Sequence, residues 1–252
     1  MGVTIAEDRV VLSTSTSSAV IYFTGATITS WVKAGREMIF LSNTAVLDGT
    51  KAIRGGIPLV FPHFGAKEGS KLPQHGFARL SSLKSLWPYD FKLIYTVTLT
   101  EDSLKSSLAS HNTGSASFSF TSLFHSYFVV ENISNARVKG LNGIKYNEII
   151  RNKTDFPETS DLVGITEELD RRYFNVPSDA IAIVENGETV VSIKTKNFAD
   201  VVVWNPWIEK SAGMSDFEEG GYKRMLCVEV GQIGTPVTLE PGENFVQEQI
   251  LQ

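Results

Sequence analysis

The sequence has one cysteine, four histidines and no long hydrophobic run in its 252 residues. The lone Cys227 cannot form an internal disulfide, and with so few histidines it cannot build a cysteine-rich zinc centre. This cysteine usage favours an intracellular, cytoplasmic protein. Since no stretch of about 18 apolar residues occurs, we expect no membrane span. The first residues lack the apolar core of a signal peptide, and we expect none.

An excess of basic residues is also missing. The chain has 23 Lys and Arg against 28 Asp and Glu, a net charge of −5. Nucleic acids and anionic membranes normally require a basic surface, so the charge balance argues against both as partners. A small anion held by a few local arginines remains compatible with it.

Amphipathic helical patterns are scarce, and short strand patterns dominate. Alternating apolar residues predict half-buried strands over Phe91–Leu99 and Phe118–Phe124. Asn186-Gly187 joins two apolar runs and predicts a β-hairpin. Short helical turns are expected only over Asp155–Asp161 and around Leu80–Leu86. The pattern therefore predicts an all-β protein, a large antiparallel β-sandwich forming a single domain over residues 1–252.

The four histidines differ in context. His111 lies in a polar, turn-like cluster and is expected to be solvated. His63 follows Pro62 and is compatible with packing or with the rim of a pocket. His125 lies inside the apolar run Leu123–Val130, read as an inner strand, where an imidazole must be hydrogen-bonded or line a cavity. A satisfied core residue and a functional residue both remain open for His125.

Glu229 raises the same question, because it stands inside the apolar run Met225–Gly231. A buried carboxylate must be paired, protonated or directed into a site. Strand alternation could instead place Glu229 on an exposed face with Cys227 and Gly231. A site carboxylate with a raised pKa and an exposed residue are the two alternatives.

Three further clusters carry polar groups that suit a ligand. Gln74, His75 and Arg79 lie within six residues, and Arg54 precedes two glycines that permit close backbone approach. Asp170 stands beside two arginines, a pattern equally typical of surface ion pairs. Trp204-Asn-Pro-Trp207 is compatible with an aromatic wall or with core packing.

Taken in order, several segments resemble those of the hexose-6-phosphate mutarotases, a branch of the aldose 1-epimerase family. The resemblance extends from about Gly25 to the C-terminus. The matching segments are Arg54-Gly-Gly-Ile-Pro58, Phe61-Pro62 with Phe64-Gly65, Pro73-Gln-His-Gly-Phe-Ala-Arg79, Leu123-Phe-His-Ser-Tyr-Phe128, Gly140-Leu-Asn-Gly143 with Tyr146, Asp170-Arg171 with Tyr173, Val203-Trp-Asn-Pro-Trp-Ile-Glu209, Met214-Ser-Asp-Phe217 and Cys227-Val-Glu229.

This resemblance implies a galactose-mutarotase-like supersandwich. It also implies an isomerase that interconverts the α and β anomers of D-glucose 6-phosphate and related aldohexose 6-phosphates, without a metal or an organic cofactor. The family pattern makes Glu229 the base and His125 the acid, which implies an ionised Glu229 and a protonated His125 in the resting enzyme. Two departures stand out: Val230 replaces a proline common in relatives, and His63 replaces a glutamine.

The same pattern assigns the remaining residues to substrate. Gln74, His75 and Asp170 are expected to reach the sugar. Arg54 and Arg79 are expected to hold the phosphate, since a guanidinium can donate two parallel charge-assisted hydrogen bonds. A structural salt bridge remains an alternative for Arg79.

Two other functions remain open at this point. The chain could be a non-catalytic module that binds sugar phosphates, although binding alone does not require a matched acid and base. It could also be an epimerase of free hexoses, which the paired Arg54 and Arg79 disfavour. We expect a monomer as the default, and the sequence does not select one hexose 6-phosphate.

Overall fold

Antiparallel β-strands dominate the computed structural model, which describes residues 2–66, 68–80 and 86–252. Its single α-helix within those ranges is α1 (Trp207–Ala212), and short 3-10 helices span Thr24–Ala26 and Gly221–Arg224. The strands are β1 (Gly2–Ile5), β2 (Arg9–Ser13), β3 (Ser17–Tyr22), β4 (Ile28–Lys33), β5 (Arg36–Glu37), β6 (Leu59–Val60), β7 (Phe91–Leu99), β8 (Leu104–Asn112), β9 (Phe118–Phe124), β10 (Tyr127–Val129), β11 (Ala136–Lys139), β12 (Lys145–Glu148), β13 (Lys153–Pro157), β14 (Leu162–Gly164), β15 (Leu169–Tyr173), β16 (Ile181–Glu185), β17 (Glu188–Lys196), β18 (Asp200–Asn205), β19 (Met225–Leu239) and β20 (Asn244–Leu251).

The strands form three sheets. One has five strands in the order β1-β2-β3-β4-β5, and another has seven in the order β14-β11-β16-β17-β20-β8-β7. The eight-stranded sheet follows β13-β12-β15-β18-β19-β9-β6, with β10 also paired to β19. No helix in the described part of the chain is long and apolar enough to cross a membrane.

The two larger sheets pack against each other through a continuous apolar core. Val228 of β19 and Ile193 of β17 belong to the same cluster of buried residues, and the rings of Tyr95 and Phe124 meet edge to face at 5.8 Å. Buried polar groups also cross the interface, because Ser122 donates a hydrogen bond to Gln247 Oε1 at 2.5 Å. The predicted all-β antiparallel sandwich is confirmed.

Several local predictions are also confirmed. β7 and β9 have the predicted bounds, and β7 alternates between more and less exposed residues. Asn186 and Gly187 both have positive φ, at 53° and 88°, as a two-residue hairpin turn between β16 and β17 requires.

Other local predictions are wrong. Residues 153–157 form strand β13, paired with β12, instead of a helical turn, because the ladder satisfies their backbone groups. His111 belongs to strand β8, where it pairs with Lys92 and Asn244, instead of a loop. The short helix α1 carried no recognised sequence signal. Residues 81–85 of the other expected helical turn lie outside the described residues.

The run Leu123–Val130 is not one continuous strand. β9 ends at Phe124 and β10 begins at Tyr127. Between them the N–H of His125 donates to the Pro58 carbonyl at 3.0 Å instead of joining the ladder with β19. The interruption leaves His125 outside both strands, where its side chain lines a cavity.

Candidate active site

A cavity of about 220 Å³ lies over one face of the eight-stranded sheet. All seven residues singled out from the sequence line it: Arg54, Gln74, His75, Arg79, His125, Asp170 and Glu229. The structure therefore gathers into one site residues that come from distant parts of the chain. Side chains that the sequence did not single out as site residues complete the lining, chiefly Phe64, Tyr127, Arg172, Trp204, Lys210 and Met214.

Strand register builds the floor of this cavity. Arg172 of β15 lies opposite Val202 of β18, which lies opposite Glu229 of β19. A second row places Asp170 opposite Trp204 and Trp204 opposite Cys227. Because alternate residues of a strand share a face, both rows project toward the same side of the sheet. The apolar run around Glu229 is thus buried on both faces, and Glu229 is directed into the site.

His125 and Glu229 form a close acid–base pair at the centre of the site. The register that pairs Phe124 with Val230 and Tyr127 with Cys227 places them opposite each other, with His125 Nδ1 3.4 Å from Glu229 Oε1. The Glu229 side chain is 2% exposed and the His125 side chain 12%. Glu229 Oε2 is buried and has no hydrogen-bond partner among the described residues. One carboxylate oxygen therefore remains available to a ligand.

Burial controls the charge state of this pair. It raises the pKa of Glu229 well above its usual range, an effect that the nearby Asp170 reinforces. Burial also lowers the pKa of His125 well below its usual range, and the neighbouring His75 and Arg79 add to the effect. Both shifts favour neutral side chains, so the proton of the resting pair lies on Glu229. This differs from the expected resting carboxylate and imidazolium, although the number of protons on the pair is the same.

His75 occupies a tight turn that holds its ring against His125. Its φ is 69° and that of Gly76 is 72°. The Gly65 N–H donates to His75 Nδ1 at 3.2 Å, which leaves the proton of the neutral ring on Nε2. Burial, helped by Arg79, lowers the pKa of His75 to about 3. His75 is therefore a neutral hydrogen-bonding group near pH 7, and its ring centroid lies 5.8 Å from that of His125.

The two predicted phosphate-binding arginines differ in their partners. Arg54 Nε donates to Asp216 at 3.1 Å, and its Nη1 lies 3.4 Å from the Tyr127 hydroxyl. Arg79 Nη2 donates to the Gln74 carbonyl at 2.8 Å. No carboxylate among the described residues lies within 4.0 Å of Arg79. The structural salt bridge considered for Arg79 is thus absent there, and its guanidinium faces the cavity without a neutralising partner.

Asp170 and the two arginines after it have separate roles. Arg171 forms ion pairs of 2.9 Å with both Glu148 and Glu158, away from the cavity. Arg172 lies on the cavity side, 3.5 Å from Asp170 Oδ1 and 4.9 Å from the centre of the Phe64 ring. Both arginines therefore form ion pairs, Arg171 away from the cavity and Arg172 with Asp170, and the pair of Asp170 and Arg172 lines the site. The i, i+2 spacing of Asp170 and Arg172 was the signal that could have identified Arg172.

Aromatic side chains enclose His125 and Glu229. The Tyr127 ring stacks on the His125 ring with centroids 4.8 Å apart, and Trp204 meets His125 edge to face at 6.0 Å. Trp204 thus forms a wall of the site, whereas Trp207 packs against Tyr222. His63 lines a neighbouring cavity of about 360 Å³, which shares Phe64 and Arg172 with the site.

One set of side chains here could hold a metal ion. His125, Cys227 and Glu229 offer a nitrogen, a sulfur and an oxygen donor within 4.8 Å of one another. The remaining lining residues supply hydrogen-bond donors, cations and aromatic faces. The arrangement as a whole suits a polar ligand with an anionic group, and proton transfer at its centre.

Known proteins resemble this chain along most of its length. The sequence model of the Aldose 1-epimerase family matches residues 8–84 and 79–252. A protein of Cenchrus ciliaris named "Putative glucose-6-phosphate 1-epimerase" is 36% identical over 90% of this chain and 78% of its own length. A protein of Escherichia coli K12 with the same name is 30% identical over 81% of this chain and 76% of its own length.

Solved structures share the fold. A crystal structure described as a "putative mutarotase" from Salmonella typhimurium superposes with a TM-score of 0.88, covering 99% of this chain and 92% of that one at 25% identity. A galactose mutarotase related enzyme from Lactobacillus acidophilus gives a TM-score of 0.76, covering 97% of this chain and 96% of that chain at 14% identity. The expected galactose-mutarotase-like fold is confirmed.

Proposed function

The chain belongs to the aldose 1-epimerase family, and we propose that it interconverts the α and β anomers of D-glucose 6-phosphate and related aldohexose 6-phosphates. In this proposal Glu229 and His125 carry out the proton transfers. The observation that carries it is the buried pair itself, with Nδ1 and Oε1 3.4 Å apart and Glu229 Oε2 without a hydrogen bond among the described residues.

Anomerisation requires a pair of this kind. The sugar ring opens when a proton leaves the C1 hydroxyl and another reaches the ring oxygen. Both oxygens are bonded to the same carbon, so the base and the acid must lie close together, as Glu229 and His125 do. After rotation about the C1–C2 bond, the ring closes on the other face of the carbonyl with the two roles exchanged.

The neutral resting pair is compatible with this chemistry. Transfer of the Glu229 proton to His125 Nδ1 produces a carboxylate and an imidazolium without adding or removing a proton. The imidazolium then donates its Nε2 proton to the ring oxygen, while the carboxylate accepts the proton of the C1 hydroxyl. Each positioned transfer typically contributes about 10²–10⁴-fold to the rate.

The rest of the cavity suits the two ends of the substrate. Asp170 Oδ1 is buried without a hydrogen bond among the described residues and can accept one from a sugar hydroxyl. Gln74 and the Nε2–H of His75 are further hydrogen-bonding groups for the sugar. Arg79, which has no carboxylate partner within the described ranges, and the anchored Arg54 favour the phosphate at the other end. Trp204 and Tyr127 provide apolar faces for the sugar. That the protein is a monomer, and that a hexose 6-phosphate is its small-molecule partner, both stay predictions.

An anomer-exchange assay tests the proposal. Pure α-glucose 6-phosphate is mixed with the protein, and its approach to the anomeric equilibrium is followed by NMR against the spontaneous rate. We expect the protein to accelerate the exchange. A folded protein that binds the ester without accelerating its exchange would instead be a sugar-phosphate-binding module.

A further inference from the structure

Cys227 is a buried thiol next to His125 and Glu229, and the proposed proton transfers do not use it. Its Sγ lies 3.9 Å from His125 Nδ1, the same nitrogen that faces Glu229 Oε1 at 3.4 Å. The thiol thus belongs to a three-donor set within 4.8 Å. His125 and Glu229 of this set line the cavity, and Cys227 is buried beside them. A nitrogen, a sulfur and an oxygen atom so close together form a possible set of metal ligands.

Two of the three donor separations are close to those of a tetrahedral zinc site. Zinc binds nitrogen at about 2.0–2.1 Å, sulfur at about 2.3 Å and carboxylate oxygen at about 2.0–2.2 Å. Tetrahedral angles with these bond lengths separate nitrogen from oxygen by about 3.4 Å and nitrogen from sulfur by about 3.6 Å. The corresponding distances here are 3.4 and 3.9 Å. The sulfur and carboxylate oxygen lie within 4.8 Å of each other, and a tetrahedral site separates them by about 3.6 Å. An ion could therefore bind after side-chain movements of up to about 1 Å.

We propose that His125, Cys227 and Glu229 form a binding site for a thiophilic divalent cation such as Zn²⁺, which occupies the reactive pair and blocks turnover. The fourth coordination position faces the cavity, where water completes the shell. Cation binding is independent of the proposed function, whereas inhibition of turnover rests on it.

The protons and charges of this step balance. Zn²⁺ replaces the proton of the Cys227 thiol and that of the Glu229 carboxyl, and two protons are released to solvent. Thiolate and carboxylate then neutralise the ion, and His125 contributes its neutral imidazole. Burial raises the pKa of the Cys227 thiol, which opposes binding at low pH, while the nearby Arg54 favours the thiolate. Sulfur and nitrogen donors select Zn²⁺ or Co²⁺ over Mg²⁺ and Ca²⁺.

Cobalt absorption tests the site without reference to activity. Co²⁺ added to the full-length protein is expected to produce a sulfur-to-cobalt charge-transfer band in the near ultraviolet, which Cys227→Ser abolishes and Zn²⁺ displaces. His111→Ala is the matched control, because His111 lies on β8 and lines neither cavity. The absence of this band from the folded parent, or its persistence in Cys227→Ser, would overturn the proposal.

Inhibition is measured in the anomer-exchange assay at free zinc concentrations fixed by a chelator. Zinc is expected to compete with the sugar phosphate, excess chelator to restore the rate, and Mg²⁺ to have no effect. Cys227→Ser should keep the uninhibited rate and raise the half-inhibitory free zinc concentration by at least about tenfold. Equal inhibition of Cys227→Ser and the parent would contradict the site. A cobalt band in a parent that does not accelerate exchange would support the cation site and refute the proposed function.

Discussion

If His125 and Glu229 carry out the proposed proton transfers, the proton that they share should make the rate depend on pH. The pair is competent when it holds one proton. When the pair binds a second proton, no base remains. Burial lowers the pKa of this protonation below the ordinary pKa of histidine. When the pair loses its last proton, no acid remains. Burial raises the pKa of this deprotonation above the ordinary pKa of a carboxylate.

We therefore expect a bell-shaped profile with a broad plateau around neutrality, measured as kcat between pH 5 and 10. His75, with its pKa of about 3, does not contribute to the acidic limb. The substrate phosphate titrates near pH 6, so free glucose serves as the control for that limb. A rate that rose steadily with pH and never fell would exclude His125 as the acid.

A second residue-scale prediction concerns Arg79. Loss of a charge-assisted hydrogen bond costs about 1.5–3 kcal/mol, so Arg79→Ala should reduce kcat/KM for glucose 6-phosphate by about 10–150-fold. Free glucose lacks the phosphate, and its turnover should be unchanged. Because Arg79 also donates to the Gln74 carbonyl, an equal loss on both substrates would mean that it only supports the loop.

The sequence predicted which residues belong to the site better than it predicted their spatial arrangement and charge state. All seven predicted site residues line one cavity. His125 and Glu229 were recognisable as polar groups in apolar runs, whereas the substrate-binding roles came from the family resemblance. Arg172 and Tyr127 were not recognised as site residues. An arginine on a half-exposed strand and a tyrosine in an apolar run look ordinary until β15, β18 and β19 are aligned in register. The resting charge state was also beyond reach, since it depends on burial.

At the scale of elements, the turn that holds His75 depends on glycine at position 76. Gly76 has a φ of +72°, and a Cβ there would lie 2.2 Å from the Phe61 carbonyl oxygen. Gly242 has a similar φ of +84° with open space around it. Alanine at Gly242 therefore adds backbone strain alone, whereas alanine at Gly76 adds both strain and a steric clash.

We expect Gly242→Ala to lower the free energy of unfolding by about 1 kcal/mol, through strain alone. Gly76→Ala should lower it by about 2–4 kcal/mol and reduce kcat, because the clash displaces the adjacent His75. Urea unfolding and the anomer-exchange rate measure the two effects. Equal destabilisation by both substitutions would show that the turn yields without moving His75.

Strands and turns with a strong local sequence signal could be predicted, whereas the interruption between β9 and β10 could not. Period-two alternation identified β7 and β9, and Asn186-Gly187 identified the β16–β17 hairpin. The interruption between β9 and β10 has no local signature. It arises because the N–H of His125 bonds to Pro58, more than sixty residues earlier in the chain. Such long-range competition for backbone hydrogen bonds is not visible in a short window of sequence.

At the scale of the whole molecule, Glu101 links two sheets. It lies in the turn between β7 and β8, and its carboxylate accepts hydrogen bonds of 2.8 Å from the hydroxyls of Thr14 and Ser15, in the turn between β2 and β3. Thr16 is a further donor. Hydrogen bonds from Thr16, Thr14 and Ser15 lower the pKa of Glu101 to about 2.

The contribution of this carboxylate to stability should be complete above its unfolded pKa of about 4.5 and lost as the pH falls toward 2. Glu101→Gln should therefore lower Tm at pH 6, because the NH₂ of the glutamine amide is a donor that faces the donor groups of Thr14, Ser15 and Thr16. The difference in Tm from the parent should shrink below pH 4. Thermal unfolding across this range measures it. A difference independent of pH would contradict the ionised link.

The arrangement of the three sheets could not be derived from the sequence pattern. Alternation predicts that strands exist, but β9, β18 and β19 become neighbours through the packing of side chains far apart in the chain. The single-domain organisation stays a prediction. The apolar core that the two larger sheets share supports it, and one cooperative unfolding transition is the expected result.

The most direct test of the central claim compares Glu229→Gln, His125→Asn and the double variant in the anomer-exchange assay. If the two side chains act as one unit, each single substitution should lower kcat by about 10²–10⁴-fold, and the double variant should be no slower than the slower single variant. A folded single variant that binds glucose 6-phosphate and retains the parental rate would contradict the assignment of the chemistry to this pair.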